Sequence, residues 1–191
     1  MKIAEALELV EEKIQKACER SGRKREDISL MGVSKFHPET DLVKAYNAGL
    51  RLFGESRVQE AASKIPGVRS QCPDCEFHLI GSLQRNKVKT SLTLFECIQS
   101  VDREELVQEL IKRSSAQNTS LKLLLELHTG EESKSGFQDL DALCKAVDLI
   151  LPCKTLQIQG LMTMAPYTRD QGPIRDSFRA LNKARNFLMQ R

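Results

Sequence analysis

The sequence predicts an α/β fold built on a parallel sheet, because short apolar runs alternate with amphipathic helical stretches along the whole chain. A leading helix precedes six such strand–helix units, and the loops between them are short. Strict alternation of this kind implies right-handed crossovers, so that each strand runs parallel to the one before it. Two architectures satisfy the pattern: an open doubly wound sheet and a (β/α)₈ barrel. Six units are ample for the first and two short for the second. With 191 residues the chain also falls below the ~250 typical of a barrel, so periodicity alone favours the open sheet.

The elements follow from local chemistry. Ile3, Leu7, Val10, Ile14 and Ala17 share one helical face, and Gly22 supplies a stop. Residues 28–34 (ISLMGVS) read as a buried strand. Pro38 opens a helix that runs to about Ala48 and closes at Gly49. Residues 50–56 (LRLFGES) form the second strand, followed by a helix from Arg57 to Ile65 that ends at Pro66-Gly67. Residues 76–81 (EFHLIG) are the third strand, 84–91 a polar helix and 94–100 (LFECIQS) the fourth strand. Asp102 with Glu105 makes a capping box for a helix to about Ser114. Residues 120–128 (SLKLLLELH) are a fifth strand, with a helix from Asp139 to Ile150 behind it. Residues 156–164 (LQIQGLMTM) are the sixth. Ile174, Phe178, Leu181, Arg185 and Leu188 line one face of a last helix, with Pro173 at its start. No linker, low-complexity stretch or clear repeat divides the chain, which reads as a single domain.

Composition narrows the function classes. With 29 basic and 26 acidic residues the net charge is only +3, too mild for nucleic acid or an anionic membrane as the main partner. No apolar run approaches the ~20 residues needed to span a bilayer, and the N-terminus lacks the continuous apolar stretch of a signal peptide. These features describe a cytoplasmic protein. Of the six cysteines, Cys72 and Cys75 have C-x-x-C spacing, but no second pair completes a zinc site. They also sit in a Pro/Asp turn and not at a helix N-terminus, so they read as an incidental loop pair.

In either architecture the chemistry collects at the C-terminal ends of the strands. Those ends carry Ser34-Lys35-Phe36-His37, Gly54-Glu55-Ser56-Arg57, His78-Leu79-Ile80-Gly81-Ser82, His128-Thr129-Gly130 and Gly160-Leu161-Met162-Thr163. Lys35 directly follows the apolar run Leu30-Met31-Gly32-Val33. If its stem is desolvated, its ammonium loses protons more readily and the amine can form a Schiff base. A solvent-facing lysine at a strand end is the alternative. His78 lies within a strand, where a core or rim imidazole is the ordinary reading and a cofactor contact the other. No metal-ligand spacing, dinucleotide fingerprint or Walker motif occurs.

At these residues the chain resembles the pyridoxal-phosphate homeostasis protein family, whose fold is like the N-terminal barrel of alanine racemase. The likeness runs in order through Gly32-Val33-Ser34-Lys35 with Pro38, Phe53-Gly54-Glu55-Ser56-Arg57-Val58-Gln59-Glu60, Phe77-His78-Leu79-Ile80-Gly81-Ser82-Leu83-Gln84-Arg85-Asn86-Lys87, Ser133-Lys134-Ser135-Gly136 and Gly160-Leu161-Met162. The resemblance implies a TIM-type (β/α) barrel with a leading helix, of which residues 1–191 hold about six of eight units as one domain. It implies pyridoxal 5′-phosphate (PLP) held as a Schiff base on Lys35, in a pocket lined by Ser56, His78 and Met162 with Lys134 nearby. It also implies a monomeric, cytoplasmic protein of vitamin B6 and amino-acid homeostasis without an established reaction. A PLP-dependent racemase or another Schiff-base barrel enzyme is the alternative. Ser56 stands where the family carries Asn, which weakens or redirects a hydrogen bond toward the cofactor ring. The family also continues with a seventh strand bearing Gly-x-Ser and an eighth bearing Arg-x-Gly, which bind the phosphate. On that basis the chain is expected to be C-terminally incomplete, with sheet edges that invite association.

Overall fold

A computed structural model describes residues 2–130 and 135–191. After the leading helix α1 (Ile3–Ser21) come β1 (Met31–Val33), α2 (Glu39–Asn47), β2 (Leu52–Glu55), α3 (Val58–Gln71) and β3 (Glu76–Leu79). Then follow α4 (Val88–Leu94), β4 (Cys97–Val101), α5 (Glu104–Gln117), β5 (Leu121–Glu126), α6 (Leu140–Ile150), β6 (Leu156–Met162) and α7 (Gln171–Met189). All six strands are parallel and lie in the order β1-β2-β3-β4-β5-β6.

That order decides between the two architectures. A doubly wound sheet reverses its strand order at a switch point. Here every strand pairs with its sequence neighbour, so right-handed crossovers keep all the helices on one side, as in a barrel wall. β1 and β6 are the two edges of the sheet.

Alternation then separates two faces. Phe53, Phe77, Leu79, Ile98, Leu121, Leu123 and Leu125 point toward the helices and are buried in one continuous core with Ile65, Val68, Leu106, Leu110, Leu143 and Ile150. The partners of the intervening positions are Val33↔Gly54, Gly54↔His78, His78↔Cys97, Cys97↔Lys122 and Lys122↔Gln157. Paired residues of parallel strands share a face, so these line the other, open side. Two register shifts interrupt the alternation, one in β4 between Ile98 and Val101 and one between β5 and β6. At the second, Leu123 pairs with Ile158 but Leu124 pairs with Gly160, so Gln159 is an extra residue. Gly160 has φ 153°, a backbone conformation that a side chain resists.

Three local readings differ from the structure. The third helix does not stop at Ile65: it runs through Pro66 to Gln71. A proline inside a helix costs about 3 kcal/mol, but Val58, Ala61, Ile65, Val68 and Cys72 form one buried stripe that anchors both halves of α3. Asp102 does not cap α5. Its N-cap is Arg103, with no side-chain cap bond; the Arg103 guanidinium donates to the Leu83 carbonyl at 2.7 Å and draws Asp102 into an ion pair. The strand around Lys35 is shorter than expected, and Lys35 itself is exposed in the turn that follows it; the buried member of that segment is Ser34.

Candidate functional site

The C-terminal ends of six parallel strands form one rim. Gly54 shows which side chains share its face: a Cβ built there would meet the Met31 Sδ at 2.7 Å and the Ile80 Cδ1 at 3.0 Å. Met31 and Val33 of β1 therefore share that open face, and Lys35 follows in the exposed turn beyond the strand end. Val33 pairs with Gly54, and Lys35 and Ser56 each follow two residues later, beyond the ends of the adjacent strands β1 and β2. His78 pairs with Gly54 and lies one step deeper.

Gly81 brings the next loop against Ser56. A Cβ at residue 81 would fall 2.3 Å from the Ser56 carbonyl oxygen, a backbone contact that no side chain could relieve. The Ser100 hydroxyl donates to the Gly81 carbonyl at 2.7 Å and ties β4 to the same corner. Beside it Ser56, Arg57, Gln59, Ser82, Gln84 and Lys87 line an open cleft of about 370 Å³. A cleft of about 520 Å³ lies at the opposite end, among Leu7, Glu11, Arg25, Arg51 and Asp74. There the Tyr46 hydroxyl and the Arg51 guanidinium both bind the Asp74 carboxylate, which leaves Tyr46 remote from the rim.

His78 is fixed in orientation by Gln99. The Gln99 side-chain amide hydrogen-bonds to Nδ1 at 2.7 Å. Nε2 is buried without a hydrogen bond and lies 3.6 Å from the Glu76 carboxylate. Burial pulls the imidazole below its ordinary pKa, and Glu76 opposes this only in part. The result is a flat ring on the open face.

Met162 lies on the same face at the far edge of the sheet. It pairs with Glu126, and Glu126 shares the face of Lys122 and Leu124. Glu126 is 2% exposed and accepts from the Ser135 hydroxyl at 3.0 Å. Burial pushes its carboxyl above the ordinary value; the Ser135 hydrogen bond opposes this, and nearby Asp102 adds to it. The register thus sets His78 and Met162 on one face, with Ser56 just past the end of β2 and Lys35 in the turn that follows β1, the edge strand opposite β6. Lys134 lies outside the described residues.

Two kinds of rim residue escape a reading of the sequence. Glu126 interrupts the run Leu123-Leu124-Leu125-Glu126-Leu127, and that break in an apolar strand is the signal that could have found it. Gln99 and Glu76 carry no such signal, since polar residues alternate through both strands. Cys72 and Cys75 are buried, and burial pushes the Cys75 thiol up to about 11, far from a reactive pair. Among the described residues no group of three or more His, Cys, Asp or Glu side chains is placed to hold a metal ion. None of the helices among those residues is long and apolar enough to cross a membrane.

The family model described as alanine racemase, N-terminal domain, matches residues 6–191. The pyridoxal phosphate homeostasis protein of Aquifex aeolicus is 36% identical over 190 residues, covering 100% of this chain and 82% of that protein. The chain belongs to the pyridoxal phosphate homeostasis protein family. A solved relative, PipY of Synechococcus elongatus PCC7942 with PLP bound, is 32% identical, with a TM-score of 0.82 over 99% of this chain and 82% of PipY. Alanine racemase from Bacillus anthracis superposes with a TM-score of 0.73 at 13% identity over 96% of this chain and 47% of the racemase. That likeness is one of fold and places the six-stranded sheet among barrels of the alanine racemase type.

Proposed function

We propose that the chain is a cytoplasmic PLP-binding protein of vitamin B6 and amino-acid homeostasis, with residues 1–191 belonging to one barrel domain. PLP attaches covalently to Lys35 and is lined by Ser56, His78, Met162 and Lys134. The observation that supports this reading is that the C-terminal ends of β1, β2 and β3 are adjacent in a parallel sheet, and Lys35, Ser56 and His78 belong to those three strand-end segments. Membership of the pyridoxal phosphate homeostasis protein family and likeness to a PLP-bound relative support it.

The residues fit the aldehyde and ring of PLP: one exposed primary amine, a hydroxyl on the neighbouring strand end and a flat imidazole. When bound, PLP supplies an aldehyde that condenses reversibly with a primary amine and releases water. Lys35 offers that amine on an exposed stem, open to exchange with amines from solution. Ser56 offers a donor or acceptor on the neighbouring strand end. His78 presents a ring fixed by Gln99, and Met162 adds a polarizable apolar wall. Racemisation would need a second acid/base on the other side of the cofactor. Tyr46 is bound to Asp74 at the opposite end of the sheet, so it does not favour that activity.

The test is a PLP titration followed by borohydride reduction and peptide mapping, in the wild type and in Lys35→Ala. A pyridoxyl adduct concentrated on Lys35 and absent from the variant is the expected result. Equal labelling of Lys35 and the exposed Lys44 would remove the case for a specific site. Turnover of an added amino acid by the loaded protein would replace the carrier with an enzyme.

A further inference from the structure

Lys35 is exposed, yet the backbone on both sides of it is held by charged side chains, buried on the Ser34 side and partly exposed on the Phe36 side. The carbonyl of Ser34, the residue before, accepts from the Lys64 ammonium at 2.8 Å, and the Ser34 hydroxyl donates to Glu55 Oε1 at 2.7 Å. The amide of Phe36, the residue after, donates to Glu60 Oε1 at 2.6 Å. One ammonium joins both carboxylates: Lys64 Nζ is 2.8 Å from Glu55 Oε1 and 3.0 Å from Glu60 Oε1. The Lys64 and Glu55 side chains are 7% and 0% exposed. Phe36 has φ 66°, a left-handed conformation that a bulky L side chain resists, so the turn needs support from outside.

An ordinary surface turn needs none of this. A buried ion pair is also a poor way to stabilise a core, because desolvation offsets most of the attraction. What it does well is fix geometry. Here both ends of the geometry are the peptide groups flanking one exposed lysine.

We propose that Lys64, Glu55 and Glu60 form a positioning clamp that fixes the Lys35 backbone, aims its amine across the open face and sets how readily Lys35 takes up an aldehyde ligand. The proposal rests on the PLP reading for the identity of the ligand. In that step the Lys35 nitrogen forms a bond to the aldehyde carbon. The carbonyl oxygen leaves as water with the two protons of the neutral amine, and no oxidant or reductant is involved. The clamp residues touch neither reactant and act only through the turn.

The experiment compares the full-length wild type with Glu60→Ala and Glu60→Gln, using PLP with borohydride reduction and counting adduct on Lys35 against Lys44. Glu60 is partly exposed at the start of α3, so both variants are expected to fold, which circular dichroism checks. Glu60→Ala should cut labelling of Lys35 by about ten- to a hundredfold, the scale on which small misplacements act. Glu60→Gln keeps an acceptor for the Phe36 amide and should restore most of it. Amide hydrogen exchange at Phe36 without PLP should quicken in Glu60→Ala and stay slow in Glu60→Gln. Unchanged Lys35 labelling in Glu60→Ala, measured well below its melting temperature, would overturn the clamp and leave a merely structural triad. Wild type unlabelled at Lys35 would instead overturn the PLP reading, and slow Phe36 exchange in Glu60→Ala would overturn the clamp independently.

Discussion

Replacing Lys64 by Met removes a charge from the helix-facing side of the sheet while keeping much of the side chain's volume. Glu55 is then left fully buried with the Ser34 hydroxyl on one oxygen, and its other oxygen, Oε2, already has no hydrogen-bond partner. Breaking a buried pair by removing one partner costs about 3–5 kcal/mol. In a domain of this size each kcal/mol lowers the melting temperature by roughly 2–4 °C, so a fall of about 6–20 °C is expected. The double variant Glu55→Leu/Lys64→Met replaces both charges with apolar groups. It should recover to within about 2 kcal/mol of the wild type, because the carboxylate that made the single change costly is gone. Urea unfolding followed by circular dichroism gives the difference, provided the slope with denaturant is unchanged. A single variant within about 1 kcal/mol of the wild type would mean that water reaches the pair. A double variant no better than the single would mean that the loss is one of packing and not of charge.

Other expectations follow from burial and titration. Phe77 is 0% exposed and stacks on Phe53 at a ring separation of 5.6 Å, so Phe77→Ala should cost about 3–5 kcal/mol; a loss below about 1 kcal/mol would contradict the core described for β3. Glu126 binds its proton more tightly folded than unfolded, so its contribution is present below the ordinary carboxylate value of 4.5 and is lost as pH rises through the raised one. Glu126→Gln should therefore gain stability relative to the wild type between pH 4 and pH 8, and parallel melting curves across that range would disprove the assignment. The thiols of Cys75 and Cys97, pushed up to about 11 and about 12 by burial, should resist iodoacetamide at neutral pH in the folded protein. Hydrogen bonds from Thr155 and the neighbouring serines outweigh desolvation and lower Cys153 below its ordinary value, so mapped alkylation should find it ahead of both.

Much of this fold is legible in the sequence, because local signals and element identity coincide: Gly22 ends α1, Asp139 caps α6 through the Ala142 amide, and each apolar run is a strand. Strand order is not local, and the open sheet and the barrel share every periodic feature; the choice needed either pairing or the family resemblance. Pro66 misleads because a continuous buried stripe outweighs a single breaker. In β6, simple alternation from the buried Leu156 would turn Met162 toward the helices. The extra residue at Gln159 reverses that phase, and nothing short-range announces it. Lys35, Ser56 and His78 were legible as strand-end residues. The charges under Lys35 were not, since Glu55 and Lys64 meet only once β2 and α3 have packed together.

The sequential strand order also bears on how the chain folds. Met31 pairs with Leu52, Leu52 with Glu76, and Leu121 with Leu156, so every strand finds its partner in the segment made just before or just after it. Within this six-stranded sheet the partners are neighbours in sequence, and loop-closure entropy stays small at each addition. A nascent chain can extend this sheet one strand at a time in the order of synthesis. Each new helix then covers the apolar side of the pair that has just formed, which shortens the interval in which that surface is open to aggregation.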